Sequence, residues 1–236
     1  MPEYLILRLE GPLQAWGDVA LDPRRPTLPY PSRSGLAGLL ANALGWRYRD
    51  GQQTTALQDA LRLAVREERP PVVIRDYQTA NLDDGTKDPG WAAWGIEGRN
   101  KGGTQLLDKF YLADGCFRVA LGLAPTAPVS LGEIRAALEQ PARPLFLGRK
   151  GCPPATRILE SQVEASNPMA AIGALPVENP PPSGKLRCWC HPAEAPGEHA
   201  VGEVWDRRDF ATNRFAGSRR LAEVWLAFTP AAGDSP

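Results

Sequence analysis

The stretch Tyr30–Gly45, YPSRSGLAGLLANALG, constrains the fold of this chain more than any other. Leu36, Leu40 and Leu44 recur at i, i+4 and i+8 with Leu39 beside them, which predicts a helix with one buried face. Ser34 has the residue type of an N-cap, and Gly45 can adopt the left-handed conformation that ends a helix. Ala37, Gly38 and Ala41 are small enough for a second backbone to approach closely. A polar loop with Ser32, Arg33 and Ser34 leads into this helix. Free N–H groups, the positive helix end and Arg33 together would make an anion seat. The competing reading is an ordinary capped helix packed on a sheet.

The remaining pattern supplies that sheet. Tyr4–Leu9 is a β-rich apolar run stopped by Gly11-Pro12, and its continuous hydrophobicity predicts a central strand covered on one face by helices. A long loop follows, carrying Trp16 and the pair Arg24-Arg25. An aromatic beside paired guanidiniums suits a nucleic-acid strand; equally, Trp16 caps a core edge and the arginines are solvated. A short helix over Thr54–Ala60 gives way to strand at about Leu61, and Val72–Tyr77 is a further strand. Gln78–Gln105 has almost no apolar periodicity and reads as an arm inserted between two strands. Its Trp91 and Trp94 either form a partner surface or fold back beneath an Ω-loop.

Strand character resumes over Leu106–Leu112 and Cys116–Leu123, across the turn Asp114-Gly115. Ser130 and Glu133 have capping-box spacing ahead of a helix with Leu131, Ile134 and Leu138 on one face. Pro144–Leu147 reads as the closing strand and runs into GRKGCPP. The order strand-helix-strand, strand-helix-strand predicts an α+β fold, the split βαβ of a ferredoxin-like (RRM-like) domain over residues 1–155. Residues 156–236 form a smaller β-rich region, with strands at Leu186–Trp189 and Ala222–Phe228. In this arrangement Ser32–Ser34 and Gly148-Arg149-Lys150 lie near each other. The second loop offers close backbone approach and two cations to a phosphate, or is simply a basic surface turn. The run DRRDFATNRFAGSRR interleaves Phe210 and Phe215 with cations and suits nucleic acid or an acidic partner.

Several chemistries find no support. The 236 residues carry no formal net charge, and only five of the 27 basic residues are lysines, a bias toward planar, forked phosphate recognition. Cys188, Cys190 and His191, with Cys152 or His199, lack metal-site spacing, so no metal or other cofactor is expected. Cys116 completes a set too scattered for a disulfide framework. His191 and His199 are the only histidines, and there is no Walker loop, G-x-S-x-G or HExxH. The N-terminus MPEYLILRLEG has neither signal-peptide nor membrane-span character, so the expected location is cytoplasmic.

Read in order, LILRLEGPLQAWG, RPT followed by YPSRSGLAGLLANALG, RDYQT, YLADGCFRVAL and PLFLGRKGCPP resemble one family. It is the CasD-type, or Cas-five, branch of the repeat-associated RNA-binding superfamily, found in type I-E CRISPR Cascade. The likeness runs from Tyr4 to about Ala171 and resumes weakly over Trp205–Trp225. It implies a non-catalytic subunit that grips the 5′ handle of CRISPR RNA (crRNA), with an arm, the thumb, reaching the backbone subunit CasC. The large subunit CasA would dock nearby, a different subunit (CasE) would cut the precursor RNA, and target DNA would be met only through the assembled complex. The resemblance assigns Arg24, Arg25, Ser32, Arg33 and Ser34 to one RNA-facing segment and Gly148, Arg149 and Lys150 to a second. Trp16 is a candidate for stacking on a base. Trp91, Trp94, Arg99 and Lys101 fall on the thumb. Residues 176–200 do not match, so Cys188, Cys190 and His191 inherit no role. The alternative is a metal-independent endoribonuclease, as in a sister subtype that uses a Tyr and an adjacent Lys-His pair. No Lys-His pair exists here.

Overall fold

A computed structural model describes residues 1–20, 23–81, 104–178 and 180–228. The architecture is mixed α+β and mostly strand. The strands are β1 (Glu3–Glu10), β2 (Leu13–Gln14), β3 (Arg24–Arg25), β4 (Leu61–Arg69), β5 (Val72–Asn81), β6 (Thr104–Ala113), β7 (Cys116–Leu123), β8 (Leu159–Glu164), β9 (Lys185–Cys190), β10 (Ala200–Asp209) and β11 (Arg214–Ala227). The helices are α1 (Arg33–Ala43), α2 (Gly51–Ala60), α3 (Leu131–Glu139) and α4 (Pro168–Gly173).

One seven-stranded sheet, in the order β10-β11-β9-β4-β7-β1-β8, forms the body. Within it β4, β7, β1 and β8 are neighbours, each pair antiparallel. In chain order they are joined by α1 and α2, by the β5–β6 excursion and by α3, so the expected strand-helix-strand alternation is present. Its closing strand is not Pro144–Leu147. That segment is irregular, because single bonds to separate partners replace a ladder: Leu147 O accepts from Ala15 N at 3.0 Å, and Leu147 N donates to Cys152 O at 2.7 Å. The closing strand is Leu159–Glu164, whose exposed polar residues gave it no strand signature.

The body is covered on both faces rather than one. Leu5, Leu7 and Leu9 of β1 meet the layer of Leu36, Leu39, Leu40, Leu57 and Ile134 from α1, α2 and α3. Tyr4 and Ile6 point the other way, to Met169 and Ile172 of α4. Each fully buried leucine contributes about 2 kcal/mol, and this two-sided burial is why β1 reads as a continuous apolar run. The C-terminal strands do not make a sheet of their own: β9 pairs with β4, so β9, β11 and β10 extend the body.

The second sheet is built on β6, which pairs with β5 from Val72↔Ala113 to Asn81↔Thr104. The ribbon therefore claims residues 78–81 and 104–105, at both ends of the stretch that lacked apolar periodicity. Val72–Tyr77 is legible as strand from its β-rich residues although Val72, Val73 and Tyr77 are all more than half exposed; the continuation Gln78-Thr79-Ala80-Asn81 has no apolar alternation to mark it. Trp91, Trp94, Arg99 and Lys101 lie outside the described residues. The loop after β1 is not structureless either, since β2 and β3 both dock on β6.

Candidate nucleic-acid interface

The site is organised around the first turn of α1. The N-cap is Ser32 rather than Ser34: its Oγ accepts from Gly35 N at 3.1 Å and donates to Trp16 O. Ser32 is the better cap because it is buried against Trp16, whereas Ser34 is half-buried at the mouth of a cleft. At the far end Gly45 has φ +77°, with Gly45 N donating to Asn42 O and Trp46 N to Ala41 O, a Schellman closure.

The first helical N–H is already satisfied by a carboxylate of the chain itself. Arg33 N donates to Asp206 Oδ2 at 2.9 Å, and Asp206, fully buried, is clamped by Arg219 Nε and Nη2 at 2.8 and 2.9 Å. The Arg33 guanidinium turns to the end of α2, donating to the carbonyls of Gln58, Asp59 and Leu61 at 2.7–2.8 Å. Burial and the neighbouring Arg219 push its pKa down. The anion seat expected from Ser32, Arg33 and the helix end is thus filled from within, and Arg33 serves as the C-terminal cap of α2.

Trp16 is 1% exposed. Its indole N–H donates to Gln14 Oε1 at 2.9 Å, and the ring packs on Gly35. It is a core residue, not a free stacking platform: the bulk that suits it to a base also suits it to the gap between β2 and α1.

The second basic loop does come to this place. At Gly148 φ is +90°, and a Cβ there would lie 1.6 Å from Ala15 O, so only glycine lets the loop pass the Ala15–Trp16 backbone. Arg149 donates to Phe110 O at 3.0 Å and Arg25 O at 2.9 Å while its guanidinium lies 4.7 Å from the Tyr111 ring centre. It ties the loop to β3 and β6. Lys150 is exposed beside it. Arg24 is exposed with its guanidinium over Phe110 at 4.9 Å, and Arg25 is exposed next to it.

A third stretch completes the cleft, the β10–β11 hairpin. It is fixed to α2 by the fully buried Gln58, whose Nε2 donates to Arg208 O and whose Oε1 accepts from Arg208 N, both at 3.0 Å. Phe210 N adds a bond to Thr55 Oγ1 at 3.0 Å. The resulting cleft of about 350 Å³ is lined by Ser34, Phe146, Arg149, Arg208, Phe210 and Phe215, among others. Arg208 stands over Phe215 at 5.9 Å; its Nε is buried with no hydrogen-bond partner, and burial lowers its pKa. Gln58, Asp206 and Phe146 were missed in the sequence. Gln58 sits next to Leu57 inside the buried stripe of a helix, and Asp206 opens a basic run that carries one other acid, Asp209.

The cysteines take no part. Burial pushes the Cys188 thiol up to about 12 and that of Cys190 to about 11, and both sit in the core beneath α4. Among the described residues no group of three or more His, Cys, Asp or Glu side chains is placed to hold a metal ion, and no helix is long and apolar enough to cross a membrane.

The profile of a family described as "CRISPR-associated protein (Cas_Cas5)" matches residues 4–223. The chain is 35% identical over 180 residues to "CRISPR system Cascade subunit CasD" of Escherichia coli (strain K12), covering 73% of this chain and 76% of that protein. Among solved structures it is similar to a chain of a "CRISPR RNA-guided surveillance complex", with a TM-score of 0.69 at 26% identity over 94% of this chain and 89% of that one. It is also similar to a "Crystal structure of Cas protein", with a TM-score of 0.65 at 28% identity and 95% of each chain covered.

Proposed function

Given that the chain belongs to the CRISPR-associated Cas5 family, we propose that it is a non-catalytic, crRNA-binding subunit of a Cascade-type surveillance complex that holds the 5′ handle. The observation that carries this is the single cleft where three distant basic and aromatic stretches meet, Ser34, Arg149 and Arg208 with Phe210 and Phe215. In this reading the ferredoxin-like unit that grips RNA runs through its closing strand β8, past residue 155, and β9–β11, which extend the same sheet, supply the third wall. The β5–β6 ribbon is the root of the thumb, directed at the backbone subunit CasC, with CasA docking nearby.

The mechanism is positional. Lys150, Arg24 and Arg25, with the exposed parts of Arg149, hold phosphates and set register without reading much sequence. Arg208 and the two phenylalanines receive an unstacked base, the guanidinium supplying an unused Nε–H donor and a flat face. Absence of catalysis is supported by the histidines, neither of which lines this cleft: His191 Nδ1 accepts from Ala193 N, and His199 Nδ1 lies 2.9 Å from Gly197 O.

The test is binding of a labelled handle RNA to the full chain across a salt series, with a denaturing gel of the same mixtures. Lys150→Ala is expected to flatten the log–log salt slope by about 0.7, one phosphate contact on a single strand. Phe215→Ala is expected to weaken binding by about 1–3 kcal/mol with the slope unchanged. Intact RNA together with both effects supports the assignment. Handle affinity indifferent to both variants, or a discrete cut, refutes it.

A further inference from the structure

A second cleft, of about 450 Å³, lies between the end of α2, the start of β4 and the strand β11. It shares no lining residue with the first: Arg33 faces this one, while its neighbours Ser34 and Gly35 face the other. Most of its charges are balanced in pairs. Arg62 meets Glu194 at 2.7 Å, Arg219 meets Asp206 at 2.8 Å, and Asp59 is held by Arg207 at 2.7 Å.

Two guanidiniums make no ion pair among the described residues. Arg33 meets only carbonyls through its side chain, and among the described residues its Nη1 has no hydrogen-bond partner. Arg220 lines the same cleft, exposed; Glu203 stands opposite it on β10, but the Glu203 carboxylate accepts from Ser218 Oγ, and no ion pair of Arg220 is formed among the described residues. His191 stands at the rim; its Nδ1 is taken by Ala193 N, which leaves Nε2 directed away from that bond. The carbonyls at the end of α2 offset part of the Arg33 charge and leave its Nη1 open to the cleft. A half-enclosed surplus of two forked donors calls for an anion with several oxygens, and a carboxylate already occupies every other cation there.

We propose that the cleft lined by Arg33, Arg62, Arg219 and Arg220 is a second anion site, separate from the handle cleft, that binds a phosphoanion. The phosphate chemistry is common to a free pyrophosphate-like anion and to a phosphodiester strand, and two probes separate them. Arg33 engages the donor-poor side of the anion from the floor of the cleft, and Arg220 closes over it from β11.

The experiment titrates the full-length chain with inorganic pyrophosphate by calorimetry at low ionic strength, then repeats the titration with a short oligouridylate present. Arg220→Ser is the working variant, because the residue is exposed and holds nothing in the fold. It is expected to weaken pyrophosphate binding about tenfold, the loss of one charge-assisted interaction, while Arg208→Ala in the first cleft leaves it unchanged. Displacement of pyrophosphate by oligouridylate, abolished in Arg220→Ser, supports a strand as occupant. Pyrophosphate binding indifferent to oligouridylate supports a free anion. No saturable binding by the wild type, or equal loss in Arg208→Ala and none in Arg220→Ser, overturns the proposal. The handle-binding test is unaffected by either result, since the two clefts have separate variants.

Discussion

The arginines of the central sheet, two of them buried, allow a sharp test of what holds this fold. Arg8, Arg118 and Arg66 stand abreast on β1, β7 and β4, in register and on the face that meets α4. Like charges side by side would repel, so each must be offset by what surrounds it. Arg66 is 1% exposed; its Nε donates to Glu68 at 2.6 Å, Nη1 to Ile172 O at 2.7 Å and Leu175 O at 3.0 Å, and Nη2 to Pro176 O at 3.0 Å. The guanidinium thus caps the end of α4 and pins the chain that leaves it. Replacing Arg66 with Met keeps the volume and removes every donor. Leu175 O is then without a donor among the described residues, Ile172 O keeps Leu175 N at 3.4 Å, Pro176 O keeps Arg118 Nη1 at 3.0 Å, and Glu68 is left with Arg118 Nη1 at 3.5 Å as its remaining cation. Breaking a buried pair from one side costs about 3–5 kcal/mol, and we expect a loss of about 4 kcal/mol for Arg66→Met. For a chain of this size that lowers Tm by roughly 10 °C. Urea unfolding followed by the fluorescence of the buried Trp16 and Trp189 measures it. Adding Glu68→Gln should recover about 1–2 kcal/mol, because the uncompensated carboxylate carries part of the penalty. A loss below about 1 kcal/mol for Arg66→Met, or strict additivity in the double variant, would refute the argument.

Two further outcomes follow from the geometry. Gly148→Ala places a Cβ against Ala15 O at 1.6 Å and forces a side chain into φ +90°, so the loop must detach; stability should fall by more than about 2 kcal/mol, and handle affinity with it. Thermal melts and RNA titration of the same variant check both, and wild-type behaviour in either would contradict the packing. The Glu178 carboxyl is held below its ordinary range by its hydrogen bonds to Arg8, at 2.8 and 2.9 Å, and by the nearby Arg118. A depressed carboxyl contributes stability above its unfolded value of about 4.3 and loses it as pH falls through the lower folded value. Glu178→Gln should therefore lower Tm at pH 7 and flatten its fall between about pH 5 and pH 3; parallel curves for the two proteins would show that the contact contributes nothing.

Much of this was legible in the sequence, and the part that was not has one physical cause. Apolar periodicity reports burial, so α1, α3 with its Ser130–Glu133 capping box, and the two-sided β1 could be read directly. In β8, and at residues 78–81 and 104–105 where the β5–β6 ribbon runs on past its apolar parts, the same signal fell silent. The basic clusters were found, and their convergence on one cleft was foreseen for Ser34 and Arg149. What sequence could not separate is an arginine that meets a ligand from one that caps backbone, because the same fork of donors serves both. Arg33 closes α2, Arg66 closes α4, Arg149 ties two loops to β6, and Arg143 donates to Asn42 and to the carbonyls of Gly45 and Trp46 at the end of α1. Part of the arginine bias that suggested phosphate recognition therefore reflects how this chain ends its helices. In the proposed reading the cations that meet RNA are Lys150, Arg24 and Arg25 at the rim, the exposed parts of Arg149, and Arg208, whose Nε is the one buried guanidinium donor without a partner among the described residues. The proposed nucleic-acid interface is thus defined less by where positive charge is dense than by where a donor such as Arg208 Nε has nothing of its own to hold.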